Sequence, residues 1–341
     1  MIETADVLVV GLGPAGACAA AEAARRGCKV IAIDRKRDAG RPMQCAEFVP
    51  AMIGMLEAAA TASQRIDSMA TFVEDDAPDV KIDFPGHMLD RAAFDAALVA
   101  RAAAAGADVR LSCRVRHVHQ SGTVELADGH TLFGATLIGA DGPRSRVGRA
   151  IGSVNEELVE TRQITVPLCA PHASTDIFLA SSIPGGYGWL FPKGEVANLG
   201  AGVAPAHKSR LRDIVAQLHA RLVREGRVGE AIVGLTGGLI PVGGMLRGSG
   251  TLGDTRVLLA GDAAGLSNPV TGAGISAAVQ SGTLAGEAAA MGAHARYRDD
   301  LEDLFGVSLD RALRRRRELV ASLPSKTALR RGWIAYPEYW Q

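Results

Sequence analysis

Aromatic residues are scarce in this chain of 341: Phe, Trp and Tyr together make up 4%. A core without many large rings must be built from Ala, Val, Leu and Ile, and the 40 glycines let backbones approach closely. Charge imbalance is also lacking, with 37 basic and 37 acidic residues. That balance argues against a general nucleic-acid binder, a class marked by basic domains. No apolar run reaches the roughly 18 residues that a membrane-crossing helix needs. The five cysteines (Cys18, Cys28, Cys45, Cys113, Cys169) share no metal-ligand spacing, and the eight histidines form no HxxxH pair, so no metal site is expected. No basic segment precedes an apolar stretch at the N-terminus, so a cytoplasmic protein with reduced thiols is the expectation.

What is present is a globular composition, 48% apolar and 22% charged, in a length that suits one large or two ordinary domains. Residues 7–10 read as a buried parallel strand, 15–26 as an Ala-rich helix ended by Gly27, and 29–33 as the next strand. A helix is expected over 51–60. Two short strands are expected within 70–84, where Val80, Ile82 and Phe84 alternate with charges, and a helix over 91–105. Strands follow at 109–115, 123–126 and 131–138, the last two joined at Asp128-Gly129. His117 and His119 alternate and are expected on a solvated face. From about 160 to 245 the pattern becomes strand pieces among Gly and Pro (164–168, 177–180, 196–203, 239–242), with one helix near 208–225. Strand and helix alternation resumes at 256–260 and 272–291, and 296–322 is helical and charged. The expected fold is therefore α/β and α+β: a Rossmann-like dinucleotide domain (1–66, 86–160, 246–295), an inserted, mainly antiparallel β-sheet substrate domain (67–85, 161–245), and a C-terminal helical segment with an aromatic tail (296–341).

Gly11-Leu-Gly13-Pro14-Ala15-Gly16 follows a strand and opens a helix, and Asp34, followed by Arg35, closes the next strand. Gly11 permits the tight turn, Gly13 lets a pyrophosphate approach the backbone, and Gly16 lets the helix pack on the strand. The helix start offers free N–H groups and a positive dipole end to phosphate. An acid at position 34 can accept from both ribose hydroxyls, which favours FAD or NAD over NADP.

Two later segments choose between them. Gly139-Ala-Asp141-Gly142 and Ala260-Gly261-Asp262-Ala-Ala264 each run from a strand into a Gly-flanked Asp, and the second continues to Pro269 and Gly272-Ala273-Gly274-Ile275. The three motifs in this order resemble the FAD-binding set of para-hydroxybenzoate-hydroxylase-like (glutathione-reductase-type) flavoproteins. The resemblance implies FAD, contacted by Asp262 and by Arg91 of Arg91-Ala-Ala-Phe94-Asp95. The helix start at 271–275 would stabilise negative charge on reduced flavin. Only one GxGxxG is present, so a pyridine nucleotide would visit transiently or a protein would donate the electrons.

Pro184-Gly-Gly-Tyr187-Gly-Trp189-Leu-Phe191-Pro192 resembles the YxWxFP signature of the geranylgeranyl reductase family, flavoenzymes that saturate isolated C=C bonds of polyprenyl chains. On a strand Tyr187, Trp189 and Phe191 point one way and form an apolar wall; Tyr187, Trp189, Phe191, Pro192 and Pro269 are the expected substrate contacts. Gly274-Ile-Ser276 and Ser281-Gly282 look more like the reductases than the hydroxylases. Cys45 lies in Gln44-Cys45-Ala46-Glu47, where the resembling reductases carry a Cys followed by Gly-Gly. A thiol there would supply the proton that alkene reduction needs, or be a small buried residue. Alternatives stand beside this reading: a flavin monooxygenase acting on an aromatic or other small molecule, a quinone-reducing electron-transfer flavoprotein, or a non-catalytic flavin module.

Between Arg311 and Arg331 lie eight basic residues and one acid, Glu318, followed by Trp333, Tyr336, Tyr339 and Trp340. Basic residues beside aromatics suit an anionic membrane surface, so peripheral membrane contact through 311–341 is one expectation. A charged helix with its tail packed on the body is the other. The expected partner in either case is an apolar small molecule or lipid. Oligomeric state is not legible.

Overall fold

The computed structural model describes residues 2–42, 45–50, 61–321 and 325–341; the helix expected at 51–60 lies outside them. β1 (Ile2–Val10) leads into α1 (Pro14–Arg25) and returns as β2 (Val30–Ile33), parallel to β1. Val7–Val10 and all of β2 are buried, as strands covered on both faces must be. Five short strands follow: β3 (Phe48–Pro50), β4 (Ala62–Ile66), β5 (Ser68–Val73), β6 (Asp79–Lys81) and β7 (Gly86–Leu89). They precede α2 (Arg91–Ala104), whose N-terminus Asp90 caps by accepting from Ala93 N at 3.0 Å. β8 (Asp108–Arg110), β9 (Val115–Val118), β10 (Val124–Leu126), β11 (Thr131–Gly139) and α3 (Arg146–Ala150) complete this half.

The second half holds β12 (Leu158–Pro167), β13 (Ser174–Leu179), β14 (Gly188–Lys193), β15 (Val196–Val203), α4 (Leu211–Arg224) and β16 (Gly234–Pro241). The chain then returns through β17 (Ser249–Leu252) and β18 (Thr255–Leu259) to α5 (Ile275–Met291). It ends in α6 (His294–Leu301), α7 (Val307–Ala321), α8 (Lys326–Arg331) and α9 (Pro337–Trp340).

Among the described residues these strands form three sheets. The first runs β17-β18-β11-β1-β2-β8, parallel from β18 to β8, with β10 and β9 added antiparallel beside β11. The second runs β16-β12-β15-β14-β13-β5-β6 and is antiparallel except at β13–β5. The third, β3-β7-β4, is small. Alternation decides which residues of the second sheet meet which neighbour. Leu190 and Leu199 pack with Leu218 and Leu222 of α4, while Ile177, Trp189 and Phe191 pack on the other side with Trp333.

The close contact of α1 with α5 explains the glycines shared between distant motifs. A Cβ on Gly282 would stand 2.1 Å from the Ala15 carbonyl oxygen, and one on Gly286 2.4 Å from that of Ala19. Ser281 Oγ accepts from Gly261 N at 3.0 Å, tying α5 to the turn after β18.

Two expectations need correction. The single strand expected at 109–115 is two, because Ser112 takes φ 60° and turns the chain. β8 continues beside β2, whereas β9 pairs with β10. The two short strands expected within 70–84 are β5 and β6; Val80 is 57% exposed on the edge strand β6, and Ile82, just after it, is 83% exposed. The helix expected from 272 starts at Ile275, since Asn268 Oδ1 accepts from Val270 N and Thr271 N and holds a turn first. His117 is exposed and His119 half-buried against Glu125, as a solvated strand face requires.

Candidate functional site

A cavity of about 350 Å³ lies where the two large sheets meet. The start of α1, the loop 45–50, the ring-bearing face of β14, residues 236–240 of β16, the segment around Gly261–Ala278, and Trp333 line it.

Its dinucleotide side is built from two helix starts. Gly13 caps α1 and Gly274 caps α5, and neither end has a side-chain cap, so backbone N–H groups of both helices face the cavity unspent. The glycines differ in their surroundings. A Cβ on Gly11 would stand 2.3 Å from the Ala140 carbonyl oxygen, and one on Gly16 1.7 Å from that of Gly11, whereas one on Gly13 would meet nothing within 4 Å. Space is therefore left over one glycine only, at the helix end where a pyrophosphate would bind. This cradle and the two free helix starts fit FAD.

The expected FAD residues fall into two groups. Gly13, Pro14, Ala15, Arg91, Gly261, Asp262, Gly272, Ala273, Gly274 and Ile275 line the cavity; Gly11, Gly16, Asp34, Arg35 and Asp141 stand outside its wall. Asp34 is buried at the end of β2, and each of its oxygens already accepts a backbone N–H: Oδ2 from Leu12 at 2.7 Å and Oδ1 from Lys36 at 2.8 Å. Each keeps a second lone pair. Asp141 works as a cap. Its oxygens accept from Ser145 Oγ at 2.5 Å and Arg146 N at 2.6 Å, which holds α3 and sets the neighbouring Ala140 and Gly142 against the cavity. Burial pushes the Asp141 and Asp262 carboxyls up from the usual carboxylate range. Bonds from Ser145 and Ser267 and, for Asp262, the nearby Arg91 pull the other way. Burial alone would lower Arg91, but Cys45 and its forked bonds to Asp95 at 2.9–3.2 Å outweigh it, so its pKa is raised.

The opposite wall is apolar. Tyr187 and Trp189 rings lie 5.7 Å apart and Trp189 and Phe191 6.3 Å apart on one face. Burial raises the Tyr187 phenol, and its O–H donates to Thr271 O at 2.5 Å, bracing the turn before α5. Pro192 and Pro269 are corrections. Pro192 has the parity of Leu190 and does not line the cavity, and neither does Pro269, whose carbonyl accepts from Arg316 Nη1 at 3.3 Å.

Cys45 lines the cavity between these walls, and its Sγ accepts from Glu47 N at 3.2 Å. Sequence reasoning missed the polar cluster around it. Glu47 is 1% exposed and holds Lys193 Nζ at 2.8 and 2.9 Å and Asn198 Nδ2 at 2.9 Å. Gln163 donates to Cys45 O at 3.2 Å and accepts from Trp189 Nε1 at 3.0 Å. The one available signal was Lys193 directly after Phe191-Pro192. Removing one partner of a buried ion pair leaves a charge without compensation. Lys193→Met is accordingly expected to cost about 3–5 kcal/mol, read as a lower midpoint in thermal or denaturant unfolding.

The C-terminal segment packs on the body. Trp333 is 3% exposed and packs tilted against Tyr187, ring centroids 4.9 Å apart, so the tail supplies part of the cavity wall. Most of the basic cluster is engaged: Arg315 with Tyr339 O and Glu318, Arg316 with Pro269 O, Lys326 and Arg330 with Asp76, Arg331 with Glu318. Arg314 and Arg317 point outward, and Trp340 is 57% exposed with Arg311 over its ring. No helix among the described residues is long and apolar enough to cross a membrane, and no His, Cys, Asp and Glu cluster there suits a metal.

Residues 4–227 match the family model described as FAD binding domain. A digeranylgeranylglycerophospholipid reductase of Methanopyrus kandleri is 35% identical over 91% of this chain and 85% of its own length. The crystal structure of a geranylgeranyl bacteriochlorophyll reductase-like protein of Thermoplasma acidophilum superposes with a TM-score of 0.85 at 25% identity, covering 96% of this chain and 90% of that one. A flavin-dependent brominase, Bmp2, shares the fold (TM-score 0.71, 17% identity, 91% of this chain and 85% of that one).

Proposed function

The chain belongs to the geranylgeranyl reductase family of FAD-dependent oxidoreductases, and from that membership we propose that it saturates isolated C=C bonds of an isoprenoid chain held in the cavity. The observation that carries this is the juxtaposition of two uncapped helix starts with the Tyr187–Trp189–Phe191 wall across one cavity. Two relatives above 30% identity, both of Methanopyrus kandleri, are named digeranylgeranylglycerophospholipid reductases. The solved structures with halogenase or monooxygenase chemistry fall below 25% identity and share only the fold. The hydroxylase-like and quinone-reducing readings are therefore not favoured.

In this proposal Gly13, Pro14 and Ala15 would hold the FAD pyrophosphate, Gly11 and Gly16 shape the turn behind them, and Asp34 would take the ribose hydroxyls with Arg35 beside it. Arg91, Gly261 and Asp262 would bound the middle of the cofactor, with Asp141 behind the wall holding Ala140 and Gly142 in place. Gly272, Ala273, Gly274 and Ile275 would border its ring; Gly272 N and Ala273 N are spent on Asn268 O and Thr271 Oγ1, which leaves Gly274 and Ile275 to offer N–H groups. Bound and reduced, FAD supplies a hydride to one alkene carbon. The chain's own residues do the rest. Tyr187, Trp189 and Phe191 lay the apolar chain flat and exclude water. Cys45 delivers a proton to the other carbon and regains one from solvent, so the bond gains two hydrogens in all. Reducing equivalents come from NAD(P)H bound transiently or from a protein donor. Outward-facing Arg314, Arg317 and Trp340 are what remains for peripheral membrane contact through 311–341. Replacing all three with Ala is expected to reduce co-sedimentation with anionic vesicles, and unchanged co-sedimentation removes this contact.

The function is tested by product mass. Protein reduced chemically without oxygen is incubated with digeranylgeranylglycerophospholipid, and the lipid is expected to gain two hydrogens per bond. A lipid of unchanged mass, or one altered only when oxygen is admitted, overturns the proposal.

A further inference from the structure

We infer that Glu47 is a positioning residue: its backbone N–H and its carboxylate together hold the Cys45 sulfur in the cavity wall. Glu47 has φ 70°, the left-handed conformation that glycine favours, yet carries a long charged side chain that is almost wholly buried. That side chain spans three elements. Its carboxylate accepts from Lys193 Nζ on β14, from Asn198 Nδ2 on β15, and from the backbone N–H of Arg91 at the start of α2 at 3.2 Å. Its own N–H donates to Cys45 Sγ at 3.2 Å, and its carbonyl accepts from Leu89 N at 2.8 Å.

The neighbours complete the suspension. Cys45 O accepts from Gln163 Nε2 at 3.2 Å, and Ala46 O accepts from Asn198 Nδ2 at 3.4 Å. The short segment 45–47 thus hangs from β12, β14 and β15 on one side and from α2 and β7 on the other. Within that segment only the Glu47 side chain reaches both sides. Its N–H donates to the sulfur and the Arg91 guanidinium lies near it, so the sulfur is held from its acceptor side in the cavity wall. A glycine at 47 keeps the backbone conformation but removes the carboxylate, and Lys193 and Asn198 lose the acceptor they share. The loop then keeps its path with fewer ties, and the sulfur is no longer held at one place in the wall.

The consequence for turnover rests on the reading of Cys45 as proton donor; the positioning itself does not. The test uses the FAD-loaded protein without substrate. It follows alkylation of each cysteine by iodoacetamide through mass spectrometry of the Cys45, Cys169 and Cys18 peptides. In Glu47→Gly the Cys45 rate is expected to rise at least ~5-fold, since thiol reactivity follows access and local charge. Exposed Cys169 and buried Cys18 stay unchanged, which separates local release from unfolding. Glu47→Gln keeps one acceptor oxygen but not the charge that pairs Lys193 and is expected to give a Cys45 rate between those of the parent and Glu47→Gly. An unchanged Cys45 rate in Glu47→Gly overturns the inference and leaves Glu47 as an ion-pair partner only; so does a rise shared by Cys18. A raised Cys45 rate with undiminished alkene turnover upholds the positioning and removes the proton-donor reading instead.

Discussion

Gly13→Val is expected to give a folded protein that carries no FAD. Three glycines of one loop differ in what surrounds them. Side chains at 11 and 16 would collide with backbone oxygens at 2.3 and 1.7 Å, so substitution there strains the β1–α1 junction itself. A Cβ at 13 meets nothing within 4 Å beyond its chain neighbours, so a side chain there grows into the ligand space and not into the fold. A valine would occupy the position over the free N–H groups of α1, where the pyrophosphate must approach. The expected loss is at least ~100-fold in FAD affinity, about 2.7 kcal/mol. Visible flavin absorbance of the purified protein reads the cofactor and circular dichroism reads the fold. Gly16→Val is expected to fail in both. Flavin retained in Gly13→Val would contradict the placement of the cofactor.

Cys45→Ala is expected to keep FAD and lose alkene turnover by about 10²–10⁴-fold, the span of a positioned general acid. The side chain lies in the cavity wall, within the ties made by Glu47 and Arg91. Alanine fills nearly the same space and leaves the dinucleotide loop untouched, so cofactor content separates chemistry from binding. Steady-state turnover under anaerobic conditions, with flavin content measured on the same sample, checks it. Turnover equal to the parent's removes Cys45 from the mechanism.

The parts of the site that could be read from sequence are those whose pattern is local. The loop Gly11–Gly16 announces itself because strand, turn and helix start are contiguous. Tyr187, Trp189 and Phe191 are legible as one face because strand parity is two. The same parity excludes Pro192, which the motif invites and the strand turns away. What could not be read is held by partners far apart in the chain. Glu47 meets Lys193 and Asn198 across 146 and 151 residues, with no periodicity to betray them. Trp333 reaches Tyr187 only because α7 and α8 return the chain to the cavity. The basic tail left two readings open for a related reason. Composition counts charges but not partners, and Arg315 and Arg316 are buried against backbone carbonyls. The scarce aromatics fare better: Tyr187, Trp189, Phe191 and Trp333 gather at one cavity.

The central claim is that an alkene, and not oxygen, takes the electrons of the reduced flavin in this cavity. The most direct measurement mixes the anaerobically reduced holoprotein with an unsaturated isoprenoid lipid and, separately, with its saturated counterpart, following the return of oxidised-flavin absorbance. The account predicts reoxidation with the unsaturated lipid alone. Flavin that stays reduced with both lipids until oxygen is admitted would contradict it.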